Sequence, residues 1–384
     1  MTHTRWLSPV LPSPSSVPEP LSHSRPRLKQ SLSQFVRMLR LSSGLAVLLT
    51  AEVVTAADAD RVGAEATFQA RDTLAPVAAD DADAQERLEL LSWEPTGFPV
   101  SCEFVEGGAY DALLSFPSPL PSGEAQNDQV SLEWYAVRGE GADDEASAAP
   151  ILTAPAILVV HESGSGMAAG RMFAKAIRNR GVHAFMIHLP YYGQRRGEKR
   201  RPSAENFHAV MRQGMTDARR ARDAIAAVPE VDSGFIGIQG TSLGGFVTSI
   251  TAAIDTCFDG VFIMLAGADL YDIVQSGKKD TAKLREQLAE AGFQGERLRD
   301  ILEIAEPAPL AHRLDRRTRW VYAAQQDEVV RRKNARLLAE AANLDQSHRL
   351  EVPGGHYSVA VYFPFIVDHM IKQVRREVEG VADE

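Results

Sequence analysis

The chain has 384 residues, of which 45% are hydrophobic and 24% charged, and its formal net charge is −10. This composition is typical of a folded globular protein and excludes a collagen-like or largely disordered chain. The acidic balance disfavours a nucleic-acid or anionic-membrane partner. The two cysteines, Cys102 and Cys257, are too few for a disulfide framework or a cysteine-based zinc site.

Residues 1–57 are predicted to be a leader that precedes the folded protein. Residues 1–37 are rich in Ser and Pro with almost no acid, which is typical of a disordered segment. A basic cluster, a short apolar run and small residues follow over 38–57, in the order of a secretory signal peptide. We therefore expect Met38 to be the true start and the protein to be periplasmic or extracellular; without this signal it would be cytoplasmic. The apolar run is too short to span a bilayer, so no stable membrane insertion is expected.

The next elements predict an α/β fold. Residues 58–97 are expected to form a peripheral segment with one helix, and residues 98–380 a single main domain. Its first β-rich runs predict antiparallel strands at 99–105, 111–116 and 130–137. Short apolar strands then alternate with helices, which predicts a mostly parallel sheet with helices on both faces. These strands are 156–160, 182–188, 235–239, 260–265, 320–324 and 348–352. Residues 269–309 interrupt the alternation with polar helices and are expected to form a small lid.

The motif from Gly240 to Gly244 has the pattern G-x-S-x-G, with Ser242 at its centre. It follows a predicted strand and opens a predicted helix, which is the arrangement of a nucleophile elbow. Small residues must flank the serine because the turn is tight. Ser242 is therefore the predicted nucleophile, and the backbone N–H of Leu243, at the start of the helix, is a predicted donor to an oxyanion.

A serine nucleophile needs a general base, and the base needs a carboxylate to orient it. His356 follows two glycines between the last strand and the last helix, where the base is expected. Asp327 follows the preceding strand and is the predicted acid. Asp269, which follows an earlier strand, and Glu328 remain alternatives for that role.

The loop after the first parallel strand is predicted to supply the second oxyanion donor. It contains His161, Glu162 and Ser163 and is rich in glycine. A backbone N–H of either Glu162 or Ser163 is expected to pair with that of Leu243. The loop after the next strand, at the same edge of the sheet, contains Tyr191 and Tyr192. These two tyrosines and His161 are candidates for the wall of a substrate pocket. Arg195 and Arg196 are candidates for an anion contact, although a solvated basic loop is the simpler interpretation.

These motifs, in this order, resemble the α/β-hydrolase superfamily over residues 98–380. His161-Glu162 and the double glycine after Ser242 are similar to the dienelactone-hydrolase-like branch. The type members of that branch have cysteine where this chain has Ser242, so their substrate does not carry over. The resemblance implies that Glu162 contacts the nucleophile, that no cofactor is needed, and that the catalytic triad is Ser242, Asp327 and His356.

The sequence thus predicts a serine hydrolase that cleaves a small-molecule or polymer-borne carboxylic ester through an acyl-enzyme. A serine peptidase similar to the prolyl oligopeptidase group is one alternative, although no propeller repeat is visible. A non-catalytic binding protein on the same fold is another. No metal site is predicted, because the histidines lack ligand spacing such as H-E-x-x-H. The oligomeric state and the acyl group are not encoded in any motif found.

Overall fold

A mixed sheet of ten strands lies at the centre of the described chain, in the order β1-β2-β3-β4-β6-β5-β7-β8-β9-β10. The pairs from β1 to β4 and the β4–β6 pair are antiparallel, and the remaining pairs are parallel. The strands are Glu65–Arg71, Gly97–Phe104, Ala112–Pro117, Gln129–Tyr135, Ala154–Val160, His183–Ile187, Val231–Thr241, Val261–Met264, Arg319–Ala324 and Arg349–Val352.

This arrangement comes from a computed structural model that describes residues 65–75, 78–79, 81–105, 107–139, 149–197, 203–314 and 318–380. The predicted leader and signal peptide lie outside the described residues. The helices α1 to α10 are Ala82–Leu90, Ala168–Arg178, Phe207–Ala226, Leu243–Asp255, Leu270–Ser276, Asp280–Glu290, Glu296–Leu302, Ala308–Ala311, Arg332–Ala341 and Phe363–Glu379. Within the described ranges, no helix combines the length and apolar character needed to cross a membrane.

The sheet is buried on both faces by helices. In β5 every residue from Ala156 to Val160 is fully buried, and alternate side chains enter two separate cores. One core contains Leu158 with α3 and α4, and the other contains Val159 with α2 and α10. A parallel strand covered on both sides has to be apolar at consecutive positions, which explains the sequence pattern. The antiparallel start, the parallel remainder and the two helical layers confirm the predicted fold class.

The structure adds one strand that the sequence pattern did not predict. β1 pairs in antiparallel register with β2 and forms the outer edge of the sheet, while the predicted helix in this segment is α1. The residue after β1, Asp72, is buried and forms a 2.5 Å ion pair with Arg220 of α3. It also accepts a hydrogen bond from the Trp93 indole at 2.9 Å. This segment is therefore bonded both to the sheet and to a core helix.

A buried charged network joins the sheet to α2. The carboxylate of Glu133 in β4 is fully buried and accepts hydrogen bonds from Arg171, Tyr135 and His188, at 2.5, 2.7 and 3.1 Å. Burial by itself would raise the pKa of the Glu133 carboxyl, but these hydrogen bonds outweigh burial and lower that pKa to about 2. Arg171 also donates to the carbonyl of Gly166 at 3.2 Å. The network thus connects β4 to the loop that follows β5.

Glu133→Gln is expected to lower the free energy of unfolding at neutral pH by roughly 3 kcal/mol, because the substitution leaves buried donors without their anion. The pKa of Glu133 is lower in the folded chain, about 2, than its ordinary value of 4.5. The ionised Glu133 therefore stabilises the fold fully at pH values above 4.5, and this stabilisation is lost as the pH falls toward 2. Urea unfolding of the wild type and the variant at several pH values measures this. Glu286→Gln, at an exposed position of α6, is the control. A difference between wild type and variant that stays constant down to pH 3 would contradict the prediction.

Candidate active site

The turn between β7 and α4 holds Ser242 in a strained backbone conformation. Its φ is 55° and its ψ is −115°, a region that side chains rarely occupy. The flanking glycines make the turn possible. A Cβ at Gly240 would lie 2.1 Å from the carbonyl oxygen of Gly244, and a Cβ at Gly244 would lie 2.1 Å from that of Val160. No larger residue fits either position, so the turn presents Ser242 at the carboxyl edge of the sheet.

A continuous hydrogen-bonded chain runs from Ser242 to His356 and Asp327. The Nε2 atom of His356 lies 3.2 Å from the Ser242 Oγ, and its Nδ1 lies 2.7 Å from the Asp327 Oδ2. The other carboxylate oxygen of Asp327 accepts hydrogen bonds from the backbone N–H groups of Val329 and Val330, at 2.8 and 3.0 Å. His356 and Asp327 are only 8% and 7% exposed. Asp327 is therefore fixed in rotation and presents one oxygen to the imidazole.

The two alternative acids have other partners in the structure. Asp269 is exposed, and its side chain accepts a hydrogen bond from the backbone N–H of Asp272 at the start of α5. Glu328 is exposed and forms a 2.6 Å ion pair with Lys278. The structure thus brings Asp327 to His356 and places both alternatives elsewhere.

The loop after β5 packs against the serine turn and is organised by a buried histidine. The Nε2 of His161 accepts a hydrogen bond from the backbone N–H of Leu189 at 3.2 Å, so the ring proton resides on Nδ1. Nδ1 donates to the carbonyl of Glu162 at 2.6 Å. Burial lowers the pKa of His161 to about 3, so the ring stays neutral. Because a trans peptide directs its C=O and N–H oppositely, the N–H of Ser163 points away from the His161 ring.

The side chain of Glu162 caps α2 and does not extend to the nucleophile. Its two carboxylate oxygens accept hydrogen bonds from the backbone N–H groups of Ala169 and Gly170, at 3.2 and 3.1 Å. A carboxylate at this position also interacts favourably with the positive end of the helix dipole. The contact with Ser242 that the resemblance implied is therefore replaced by a helix-capping contact.

The structure separates the three pocket candidates. Tyr192, on the loop after β6, packs against the loop after β5: its hydroxyl donates to the carbonyl of Ser163 at 3.0 Å, and its ring centroid is 4.6 Å from that of His161. His161 itself is fully buried beneath this tyrosine. The hydroxyl of Tyr191 donates instead to Glu124 at 3.2 Å. Tyr192 is thus the candidate in contact with the predicted oxyanion loop.

The interpretation of residues 195–201 as a solvated basic loop is wrong for Arg195. This side chain is fully buried and forms a 2.7 Å ion pair with the equally buried Asp217. It also donates to the backbone carbonyls of Asn127 and His188. Arg195 therefore fixes the loop that carries Tyr192. Arg196 is exposed, and residues 198–202 lie outside the described residues.

Sequence reasoning missed the surroundings of the imidazole. The ring of Tyr357 meets that of His356 edge-on, with centroids 5.4 Å apart, and the Tyr357 hydroxyl donates to Asp280 at the start of α6. A tyrosine directly after the predicted base was a visible signal for the first contact. No sequence pattern links positions 280 and 357, which are 77 residues apart.

In the part of the chain that the structure describes, no group of three or more His, Cys, Asp or Glu side chains has the geometry of a metal site.

Leu243 is the first residue of α4, so its N–H has no acceptor within the helix. The site therefore combines a serine on a strained turn, an imidazole hydrogen-bonded to a carboxylate, and a backbone N–H at the start of a helix.

Comparison with known structures identifies the architecture. An acetyl xylan esterase from Paenibacillus sp. R4 superposes with a TM-score of 0.54 at 13% identity, covering 78% of this chain and 97% of that one. The chain has the α/β-hydrolase fold. Acetyl xylan esterase 1 from Thermoanaerobacterium sp. JW/SL YS485 matches with a TM-score of 0.48 at 14% identity, over 76% of this chain and 95% of the other. No protein-family model and no curated protein sequence matches the chain.

Proposed function

We propose that the protein is a serine hydrolase that cleaves carboxylic esters through an acyl-enzyme intermediate. The observation that carries this proposal is the continuous Ser242–His356–Asp327 hydrogen-bonded chain, which begins on a strained strand-to-helix turn. A strained, partly exposed serine within hydrogen-bond reach of an oriented imidazole is the arrangement that activates a hydroxyl for nucleophilic attack.

In the proposed mechanism, His356 Nε2 takes the proton of Ser242 as Oγ attacks the ester carbonyl carbon. The tetrahedral intermediate collapses when the C–O bond to the alcohol breaks and the imidazolium returns its proton to that oxygen. Water then attacks the acyl-enzyme with His356 again as the base, which releases the acid and restores the serine. Asp327 holds the Nδ1 proton and stabilises the imidazolium that forms in each half-reaction.

Two backbone N–H groups are proposed to stabilise the oxyanion. Leu243 provides one, because it opens α4. For the second donor, the hydrogen bond from His161 to the Glu162 carbonyl favours Ser163, since it turns the Ser163 N–H away from the buried ring. By contrast, the carbonyl of His161 faces the serine turn, 2.7 Å from a Cβ built at Gly244, so the Glu162 N–H points away from that turn.

Tyr192→Phe is expected to lower kcat about tenfold with little change in KM, because the lost hydrogen bond frees the peptide between Ser163 and Gly164. The phenyl ring keeps the packing against His161. Steady-state kinetics on p-nitrophenyl acetate measures the effect. Tyr191→Phe is the matched control, because that hydroxyl faces Glu124 and not the oxyanion loop. Equal losses in the two variants would contradict a role for Tyr192 in orienting the loop.

The substrate is proposed to be a short-chain ester, free or attached to a polymer. The structural likeness to an acetyl xylan esterase supports acetylated polysaccharide as the first class to test.

We also propose that the segment from Met38 to residue 57 directs export. N-terminal sequencing of the mature protein tests this proposal, and an intact residue 1 would exclude it.

The deciding experiment has three parts. The purified protein is assayed on p-nitrophenyl acetate and butyrate, and on acetylated xylan. It is also treated with a fluorophosphonate probe, and the labelled peptide is identified by mass spectrometry. Ester turnover and a label on Ser242 are expected. Cleavage of aminoacyl-naphthylamides without ester turnover would favour a peptidase, and failure to react with the probe would favour a non-catalytic binding protein.

A further inference from the structure

The junction between α5 and α6, residues 277–280, touches the loop that carries Asp327. The backbone N–H of Lys278 donates to the carbonyl of Glu328 at 2.7 Å, and the two side chains form a 2.6 Å ion pair. Gly277 packs so closely that a Cβ there would lie 2.7 Å from the carbonyl oxygen of Val329. The junction is therefore fastened to the residues immediately after the acid.

The same junction touches the loop that carries His356. Asp280 accepts a hydrogen bond from the hydroxyl of Tyr357, and the Lys279 ammonium lies 5.3 Å from the centre of the Tyr357 ring. That ring in turn packs edge-on against the imidazole of His356. One short segment thus contacts the neighbours of both the acid and the base.

The backbone of the junction is strained in the same way as the serine turn. Lys279 has a φ of 59° and a ψ of −117°, close to the values at Ser242, although it is not a glycine. Such a conformation persists only when surrounding contacts fix it. Here those contacts are the hydrogen bonds of Lys278 and Asp280 on either side.

We propose that Tyr357 and Asp280 are positioning residues that hold the imidazole of His356 in line between Ser242 and Asp327, with the carboxylate of Asp280 favouring the protonated imidazole. This inference rests on the proposed function of the same site. Tyr357 acts through its ring and its hydrogen bond, and Asp280 acts through that bond and through its charge.

The protonation states of this pair agree with their roles. The hydrogen bond from Tyr357 lowers the pKa of Asp280, which is therefore an anion at neutral pH. Burial, together with that anion, raises the pKa of Tyr357 to about 12, so the phenol keeps its proton and donates it. The groups that face His356 are Asp327, Ser242 and Tyr357. Behind Tyr357 lie Asp280 and Lys279, and Lys283 forms a 3.4 Å ion pair with Asp280. The Glu328–Lys278 pair lies along the acid loop.

Three substitutions separate the hydrogen bond from the charge. Tyr357→Phe removes the bond and keeps the Asp280 charge. Asp280→Asn keeps an acceptor for the tyrosine and removes the charge, whereas Asp280→Ala removes both. Tyr357→Phe and Asp280→Ala are expected to lower kcat about fivefold to tenfold with KM unchanged, while Asp280→Asn restores most of kcat.

The pH profile gives a readout that a merely structural role would not change. Without the Asp280 carboxylate the imidazolium is less favoured, so the acid limb of kcat/KM should move to lower pH in Asp280→Asn and Asp280→Ala. It should stay in place in Tyr357→Phe. The control is Glu286→Gln, an exposed carboxylate of the same helix. A wild-type kcat and acid limb in all three variants would overturn the proposal, as would an Asp280→Asn variant as slow as Asp280→Ala.

A measurement that needs no turnover distinguishes failure of this inference from failure of the proposed function. The midpoint of the His356 imidazole titration is followed by NMR in the wild type and in Asp280→Asn, each also carrying Ser242→Ala. A lower midpoint in the Asp280 variant supports the inference even if no ester is cleaved, and an unchanged midpoint overturns it. Thermal melting of each variant verifies that it is folded, and Asp280→Asn still decides the question if Asp280→Ala does not fold.

Discussion

Ser242→Ala is expected to lower kcat on p-nitrophenyl acetate by about 10⁶-fold, to the level set by binding and the oxyanion donors alone. The alanine keeps the Cβ that the strained turn already accommodates. The substitution removes the Oγ atom and with it the hydrogen bond to His356. The melting temperature should therefore change by no more than about 2 °C. Ester kinetics and calorimetry on the same preparation measure both quantities.

The control for this variant is Ser233→Ala. Ser233 lies on the same strand, β7, at the opposite end from the turn, and is exposed. It should retain wild-type turnover. If Ser242→Ala and the wild type hydrolyse the ester at equal slow rates, Ser242 is not the nucleophile and the hydrolysis comes from another group.

Asp327→Asn is expected to lower kcat by about 10⁴-fold by reversing the tautomer of the imidazole. The backbone N–H groups of Val329 and Val330 both donate to the Asp327 Oδ1, so the amide oxygen of asparagine must take that place. The amide NH₂ then faces His356 Nδ1 and donates to it. The ring proton moves to Nε2, where it points at Ser242. Nε2 can then no longer accept the proton of the Ser242 hydroxyl.

The pH dependence and the alternative acid both test this explanation. Activity of Asp327→Asn should rise with pH as hydroxide replaces the lost base function, whereas Asp269→Asn should behave as the wild type because Asp269 caps α5. A larger loss in Asp269→Asn than in Asp327→Asn would assign the acid role to Asp269.

Much of the sheet and of the candidate active site was predictable, because the positions of the site residues in the sequence are tied to the ends of the strands. Consecutive apolar residues such as those from Ala156 to Val160 predict strands covered on both faces, and the carboxyl ends of parallel strands meet at one edge. The loops that follow β7, β9 and β10 therefore begin at the same edge of the sheet. Ser242, Asp327 and His356 lie in these three loops.

The remaining features depend on contacts between distant segments. Asp269 and Asp327 both follow parallel strands, and only the loop geometry shows that Asp327 meets the imidazole. β1 has just three apolar residues on its inner face, so its pattern is too weak to predict a strand without its partner β2. The ion pair of Arg195 with Asp217 likewise joins two segments that each contain other charged residues, so the sequence does not show which of them pair.

The placement of β1 has a consequence for solubility. A chain shortened to begin at residue 98 would lose β1 and would make the more apolar β2, with Val100 and Cys102 now uncovered, the edge strand of the sheet. It would also remove the Asp72 carboxylate and the Trp93 ring, so the guanidinium of Arg220 would lose its ion pair and part of its cover. Self-association through β2 is then expected to compete with folding, so residues 65–97 keep the apolar side chains of β2 from pairing with other chains.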